Sequence, residues 1–120
     1  MKIRLTAAVI TALIMMMTLA SCSGPVGYWM IDEITTGDVV MTQDDAKALG
    51  FGSPGSFRLN KSGSCVVEML GDKYEGTWKE AKDGTITLEY GDDLSATATI
   101  DEDNIMTVTD NQGTVYKTSK

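Results

Sequence analysis

The chain has 120 residues, a length that allows one domain. It carries 10 basic and 17 acidic side chains, for a formal net charge of −7, and it contains no histidine. The absence of histidine excludes Ser-His-Asp and Cys-His nucleophiles and removes the commonest transition-metal ligand. The acidic balance argues against a nucleic-acid partner, because phosphates require clustered Lys and Arg. With 42% apolar residues there is enough material for a core, and we expect a small acidic protein that is not an enzyme.

The first residues are typical of a secretory signal peptide. Lys2 and Arg4 form a short positive region, and the uncharged, mostly apolar run 5–20 that follows is shorter than the ~20 residues of a membrane-spanning helix. The run ends in Leu19-Ala20-Ser21-Cys22, which resembles the lipobox of bacterial lipoproteins at all four positions. The resemblance implies that residues 1–21 are removed and that Cys22 carries a lipid as the new N-terminus.

The charge of the remaining chain agrees with attachment through a lipid. Removing the two basic residues of the signal region leaves 8 basic against 17 acidic side chains, net −9. An anionic headgroup surface would repel such a body, so attachment must come from acyl chains, in which each buried CH₂ contributes ~0.8 kcal/mol. We therefore predict a lipidated tether at residues 22–26 and a monomeric, solvated body, held outside the cytoplasmic membrane as a lipoprotein of the cell envelope.

Residues 27–120 contain eight strand-like segments separated by short turns rich in Gly, Asp and Asn. Within several segments apolar and polar residues alternate, which indicates strands with one buried face. Connections this short join antiparallel neighbours. The predicted strands are 28–34, 56–60, 65–70, 74–80, 85–90, 95–100, 105–109 and 114–118.

One short helix is predicted between the first and second strands. Thr42 suits the N-cap position, Asp44 and Asp45 suit the first turn, and Gly50 then stops the helix. A flat meander of eight strands would leave two exposed edges, which closure into a barrel removes. The sequence therefore predicts an all-β domain at residues 27–120, a small eight-stranded antiparallel up-and-down barrel with this one helix.

Two short motifs resemble those of lipocalin-like (calycin) barrels, particularly the small domains found in bacterial lipoproteins. They are Gly27-Tyr28-Trp29 at the start of the first strand and Gly76-Thr77-Trp78 in a middle strand. The family pattern includes a basic residue near the end that packs over the first-strand Trp, a position that Lys117 would fill here. The resemblance implies binding of a small apolar ligand inside the barrel. The inward residues that would line this ligand site are Trp29, Phe57, Trp78, Tyr90 and Met106.

The bulk of the inward-facing residues leaves two functions open. An eight-stranded barrel is just wide enough to be filled by side chains or to hold one small ligand. The expected inward set is Trp29, Ile31, Phe57, Leu59, Val67, Met69, Trp78, Leu88, Tyr90, Ile100 and Met106, and the inward residues that leave space are Gly76, Ala96 and Ala98. One hypothesis is a binding module that holds a small apolar ligand. The other is a filled barrel whose loops bind a protein, such as an envelope hydrolase that it inhibits, with the acidic body steering a cationic partner.

The remaining reactive side chains predict no catalytic, metal or cofactor site. Adjacent carboxylates point to opposite faces of a strand or into water, whereas glycoside hydrolysis needs two that converge. The acidic turn 101–104 clusters oxygen atoms but does not match the EF-hand loop, with its Gly at position six and Glu at position twelve. Cys65 has no intramolecular partner once Cys22 is lipidated, and we expect it to be a buried, inert thiol.

Overall fold

The computed structural model describes residues 24–120, so the predicted signal peptide and Cys22 lie outside the described residues. Eight strands form a closed antiparallel barrel, in which each strand pairs with the next along the chain and the last returns to pair with the first. The predicted all-β class, the eight strands of the barrel and its closure are confirmed. The elements are β1 Gly27–Thr36, β2 Val39–Thr42, α1 Gln43–Ala48, β3 Gly55–Leu59, β4 Ser64–Met69, β5 Asp72–Glu80, β6 Ile86–Tyr90, β7 Leu94–Ile100, β8 Ile105–Asp110 and β9 Val115–Ser119.

The sequence prediction misses β2, a four-residue strand beside the barrel. The first half of β1 pairs with β3 and its second half pairs with β2, where Thr36 lies opposite Val39. Val39 is 69% exposed and its neighbour Val40 is 49% exposed, so burial does not alternate along β2. A strand with this burial pattern gives no period-two signal in the sequence. Because β2 intervenes, α1 follows β2 rather than β1 directly.

Helix α1 is fixed at its start by side-chain hydrogen bonds. Thr42 Oγ1 accepts from the Asp45 N–H at 3.3 Å, and Asp45 Oδ2 accepts from the Thr42 N–H at 2.9 Å. The bonds from Thr42 lower the pKa of Asp45. Gln43 Nε2 donates to Asp32 Oδ1 at 2.9 Å, and Ser119 Oγ donates to Asp32 Oδ2 at 2.7 Å. Asp32, at the register shift between β1 and β9, therefore ties the helix to both strands.

The interior of the barrel is occupied by packed side chains. Trp29, Phe57 and Met106 have 0% accessible surface. A void wide enough for a water molecule would leave accessible area on the side chains that line it, so none touches these three residues. The buried cluster consists of Trp29, Ile31, Phe57, Leu59, Cys65, Val67, Ile86, Leu88, Tyr90, Ala96, Ala98, Met106, Val108 and Tyr116.

Gly76 of β5 makes room for this packing. It lies opposite Cys65 on one side and opposite Tyr90 on the other. A Cβ atom at position 76 would collide with the carbonyl oxygen of Glu89, so β5 and β6 approach each other more closely than any other residue permits. The inward space that Gly76 leaves is next to the Tyr90 ring and the Cys65 thiol, both of which are buried.

Candidate functional site

The five residues predicted to bind a ligand differ in burial. Trp29, Phe57 and Met106 are fully buried and Tyr90 is 2% exposed, all within the packed core. The alternation along β5 predicts a buried Trp78, but this side chain is half-buried. It lies near the end of its strand, where its Nε1 donates to the carbonyl oxygen of Asn60 at 2.8 Å. The structure therefore brings four of the five into one core, in which a guest would have to displace protein atoms.

Trp29 closes the end of the barrel at which the described chain begins, called here the proximal end. Its Nε1 donates to the carbonyl oxygen of Pro25 at 2.8 Å. The ammonium group of Lys120 lies 4.8 Å from the centre of the Trp29 ring and donates to the carbonyl oxygens of Gly24 at 2.8 Å and Val26 at 2.9 Å. Burial lowers the pKa of Lys120. These contacts, called here the N-terminal clamp, hold residues 24–26 against the barrel.

The basic residue over Trp29 is Lys120, and the sequence assignment of this position to Lys117 is wrong. Tyr116 and Thr118 are buried on the inner face of β9, so Lys117 between them points outward and is exposed. The strand ends at Ser119, and Lys120 follows it across the proximal end. A residue beyond the last alternating position could not be assigned to a face from the pattern of the strand.

A buried polar group lies inside the opposite, distal end of the barrel. The Tyr116 hydroxyl donates to Asp110 Oδ2 at 2.9 Å, and Asp110 Oδ1 accepts from the backbone N–H groups of Gln112 and Thr114, each at 2.9 Å. Burial raises the pKa of Tyr116 well above its usual range, and the bond to Asp110 raises it further. The carboxylate thus has three donors, and this geometry fixes the turn between β8 and β9 rather than preparing an acid or base.

The Tyr90 hydroxyl, near this group, has no hydrogen-bond partner among the described residues. Burial raises the pKa of Tyr90 to about 12, with a further contribution from the charge of Asp110. The sequence does not predict this arrangement, because the strand predicted at 105–109 ends one residue before Asp110. A signal was present, since Asp110 continues the inward alternation of Met106 and Val108 along β8. Cys65 is buried as predicted, and burial raises the pKa of its thiol.

Open clefts lie on the outer surface of the barrel. One of 370 Å³ covers the outer side of β5 and β6, and one of 250 Å³ lies over β6, β7 and β8. A third, of 390 Å³, is lined by Tyr28, Met30, Phe51 and Glu68, and is called here the Tyr28 cleft. Tyr28 is 46% exposed, and the guanidinium group of Arg58 lies 5.3 Å from the centre of its ring. Tyr, Met, Phe and Arg are the residue types enriched in protein interfaces.

The described part of the chain forms a small closed β-barrel. Residues 24–120 contain no group of three or more His, Cys, Asp or Glu side chains placed to hold a metal ion. Among the same residues there is no helix whose length and apolar character would allow it to cross a membrane. Comparison with family models, with curated proteins and with solved structures finds no significant match. The likeness to lipocalin-like barrels therefore stays a prediction.

Proposed function

We propose that this protein is a lipid-anchored, non-enzymatic module of the bacterial cell envelope that binds a partner protein through its outer surface. The packing of the barrel interior is the observation that supports this proposal over a ligand carrier. Small-molecule sites are concave spaces of ~300 Å³ or more that enclose their ligand. The side chains of Trp29, Phe57 and Met106, which would line such a space, touch no water-sized void.

The Tyr28 cleft is the part of the outer surface that best fits a protein partner. It combines exposed aromatic area from Tyr28 and partly buried Phe51 with the neighbouring Arg58 guanidinium and the Glu68 carboxylate. Tyr and Arg dominate the energetically important positions of interfaces, because their large side chains contribute both apolar area and hydrogen bonds. The net charge of −9 after removal of the signal region would steer a partner with a basic surface, for example a cationic envelope hydrolase.

Lipid attachment at Cys22 is the second element of the proposal. It is supported by the basic start, the apolar run and the four-residue lipobox, and by a body whose charge cannot bind an anionic membrane. The anchor would concentrate the barrel at the membrane surface, where a partner of the envelope meets it.

Site-specific photocrosslinking in cells tests the partner surface. A photoreactive amino acid replaces Tyr28 in the cleft, and the control carries the same group in place of Thr99, an exposed residue on the outer face of β7. We expect a discrete crosslinked protein from position 28, absent from position 99 and reduced at least fivefold by the added substitution Arg58→Ala. Equal crosslinking from both positions, or no product from position 28, would refute the proposal.

A further inference from the structure

We propose that the proximal end of the barrel rests on the lipid headgroups, with the distal end pointing away from the membrane. This inference rests on the proposed lipidation of Cys22. The described chain begins at Gly24, and an extended backbone from residue 22 to residue 24 spans at most ~7 Å. The lipid on Cys22 is therefore attached within ~7 Å of the backbone at the proximal end.

The N-terminal clamp makes this short connection directional. The carbonyl oxygens of Gly24 and Val26 both accept from Lys120 Nζ, and the carbonyl oxygen of Pro25 accepts from Trp29 Nε1. The three described residues before β1, 24–26, are thus held by the barrel, which fixes the place at which this segment leaves it. Gly27 permits this path because its φ of +145° is a backbone conformation that residues with a side chain rarely adopt.

The reach of the anchor is comparable with the depth of the headgroup layer. That layer is ~5–8 Å thick on each side of a bilayer, so a body held ~7 Å from its lipid must touch it. The surface that meets the headgroups consists of Val26, which is 43% exposed, and the turns 60–63, 81–85 and 101–104. The Tyr28 cleft begins two residues after Val26 and extends along the side of the barrel to Gly71 in the distal turn between β4 and β5, so its distal part faces away from the headgroups.

The charges of these turns predict the direction in which the barrel leans. Lys61 is the one charged residue in the turn 60–63, Lys82 is offset by the exposed Asp83 in the turn 81–85, and Asp101, Glu102 and Asp103 are exposed in the turn 101–104. Anionic phosphate groups therefore attract the first turn, have no net attraction to the second and repel the third. We expect the barrel to lean towards the side formed by β3 and β4, which the first turn joins.

Fluorescence quenching on vesicles measures this orientation. The lipidated full chain, carrying Cys65→Val, is labelled through Lys82→Cys at the proximal end or Gln112→Cys at the distal end, both exposed positions. The vesicles contain phosphatidylcholine, an anionic phospholipid and a headgroup-labelled quencher lipid. The length of β8 estimates the height of the barrel. Its six residues rise ~20 Å, or roughly 15 Å once strand tilt is included, so the two probes differ by about this distance in their height above the membrane. We expect at least threefold stronger quenching at position 82 than at position 112.

The N-terminal clamp is tested by the ratio of quenching at position 82 to quenching at position 112. Lys120→Ala removes both carbonyl contacts and should lower the ratio by at least half, while Lys117→Ala, a change of an exposed lysine on β9, should leave it unchanged. Trp29→Phe removes the bond to Pro25 and also reduces the buried ring beneath Lys120, and it gives a second variant with the same expected direction.

Each outcome separates the orientation from the anchor. Equal quenching at both ends, with the lipid present by intact mass and the protein still bound to vesicles, would overturn the orientation and leave the anchor standing. An intact mass without lipid on Cys22 would overturn the anchor and the orientation together. A ratio insensitive to Lys120→Ala and Trp29→Phe would show that the clamp does not set the orientation.

Discussion

Removal of the Tyr116 hydroxyl is the perturbation whose effect on stability the structure predicts most directly. Tyr116→Phe deletes the 2.9 Å bond to Asp110 and keeps the ring, which packs edge-on against Phe57 at 5.4 Å. A hydrogen bond to a charged group contributes ~1.5–3 kcal/mol, and its loss leaves a buried carboxylate with one donor fewer. We expect the free energy of unfolding to fall by ~1.5–3 kcal/mol, which for a domain of this size is a decrease in Tm of at least ~6 °C.

Tyr90→Phe is the matched control for this experiment. It removes the same atom from a neighbouring buried tyrosine, but that hydroxyl has no partner among the described residues. Deleting an unpaired buried polar group removes a desolvation cost, so the variant should be neutral or slightly stabilised. Urea denaturation, followed by tryptophan fluorescence on the unlipidated Cys22→Ala body, measures both. Equal destabilisation by the two substitutions would refute the assignment of the bond to Tyr116.

The remaining predictions concern the anchor, the buried thiol, the tryptophans and alkaline pH. Cys22→Ala should release the body from membranes, and membrane association at moderate salt without Cys22 would contradict the anchor. Cys65→Val should change stability by less than ~1.5 kcal/mol because the volumes are similar, and rapid reaction of the folded wild-type thiol with reagents would contradict its burial. Trp29→Ala should destabilise the barrel by ~3–5 kcal/mol in urea melts, whereas Trp78→Phe, which loses one hydrogen bond from a half-buried ring, should cost ~1 kcal/mol. Burial raises the pKa of Tyr90 to about 12, whereas an unfolded tyrosine ionises near ~10, so ionisation of this group does not affect stability below pH ~10 and lowers the free energy of unfolding as the pH rises from there to about 12. Melts between pH 9 and 12 should show a shallower decline for Tyr90→Phe than for the wild type.

The barrel strands could be predicted because most of them bury one face. In β6 the burial alternates from Ile86 to Tyr90, and in β8 it alternates from Met106 to Asp110, as the sequence pattern indicates. β2 could not be predicted, because it lies outside the barrel wall and Val39 and Val40 are both exposed. The alternation of apolar and polar residues reflects burial of one face of a strand, so a strand with neither face buried throughout has no such alternation in its sequence.

The contacts at the two ends of the barrel could not be predicted from strand patterns. Whether Lys120 or Lys117 covers Trp29 depends on where β9 ends and on the path of the chain after Ser119. The pair formed by Asp110 and Tyr116 depends on the register of β8 against β9, which the separate alternation of each strand does not determine. These are tertiary arrangements of residues whose individual burial the sequence does predict.

The most direct test of the filled barrel is a series of thermal melts in the presence of apolar compounds. Fatty acids, isoprenoids and haem-like compounds are each added in large excess to the Cys22→Ala body, with tryptophan emission recorded alongside. A packed interior predicts no change in Tm and no shift in emission with any of them. A compound that binds only the folded state at ~100 times its Kd would add ~2.7 kcal/mol of stability. A saturable rise in Tm of several degrees, together with a shift in emission, would contradict the account and assign the barrel a ligand.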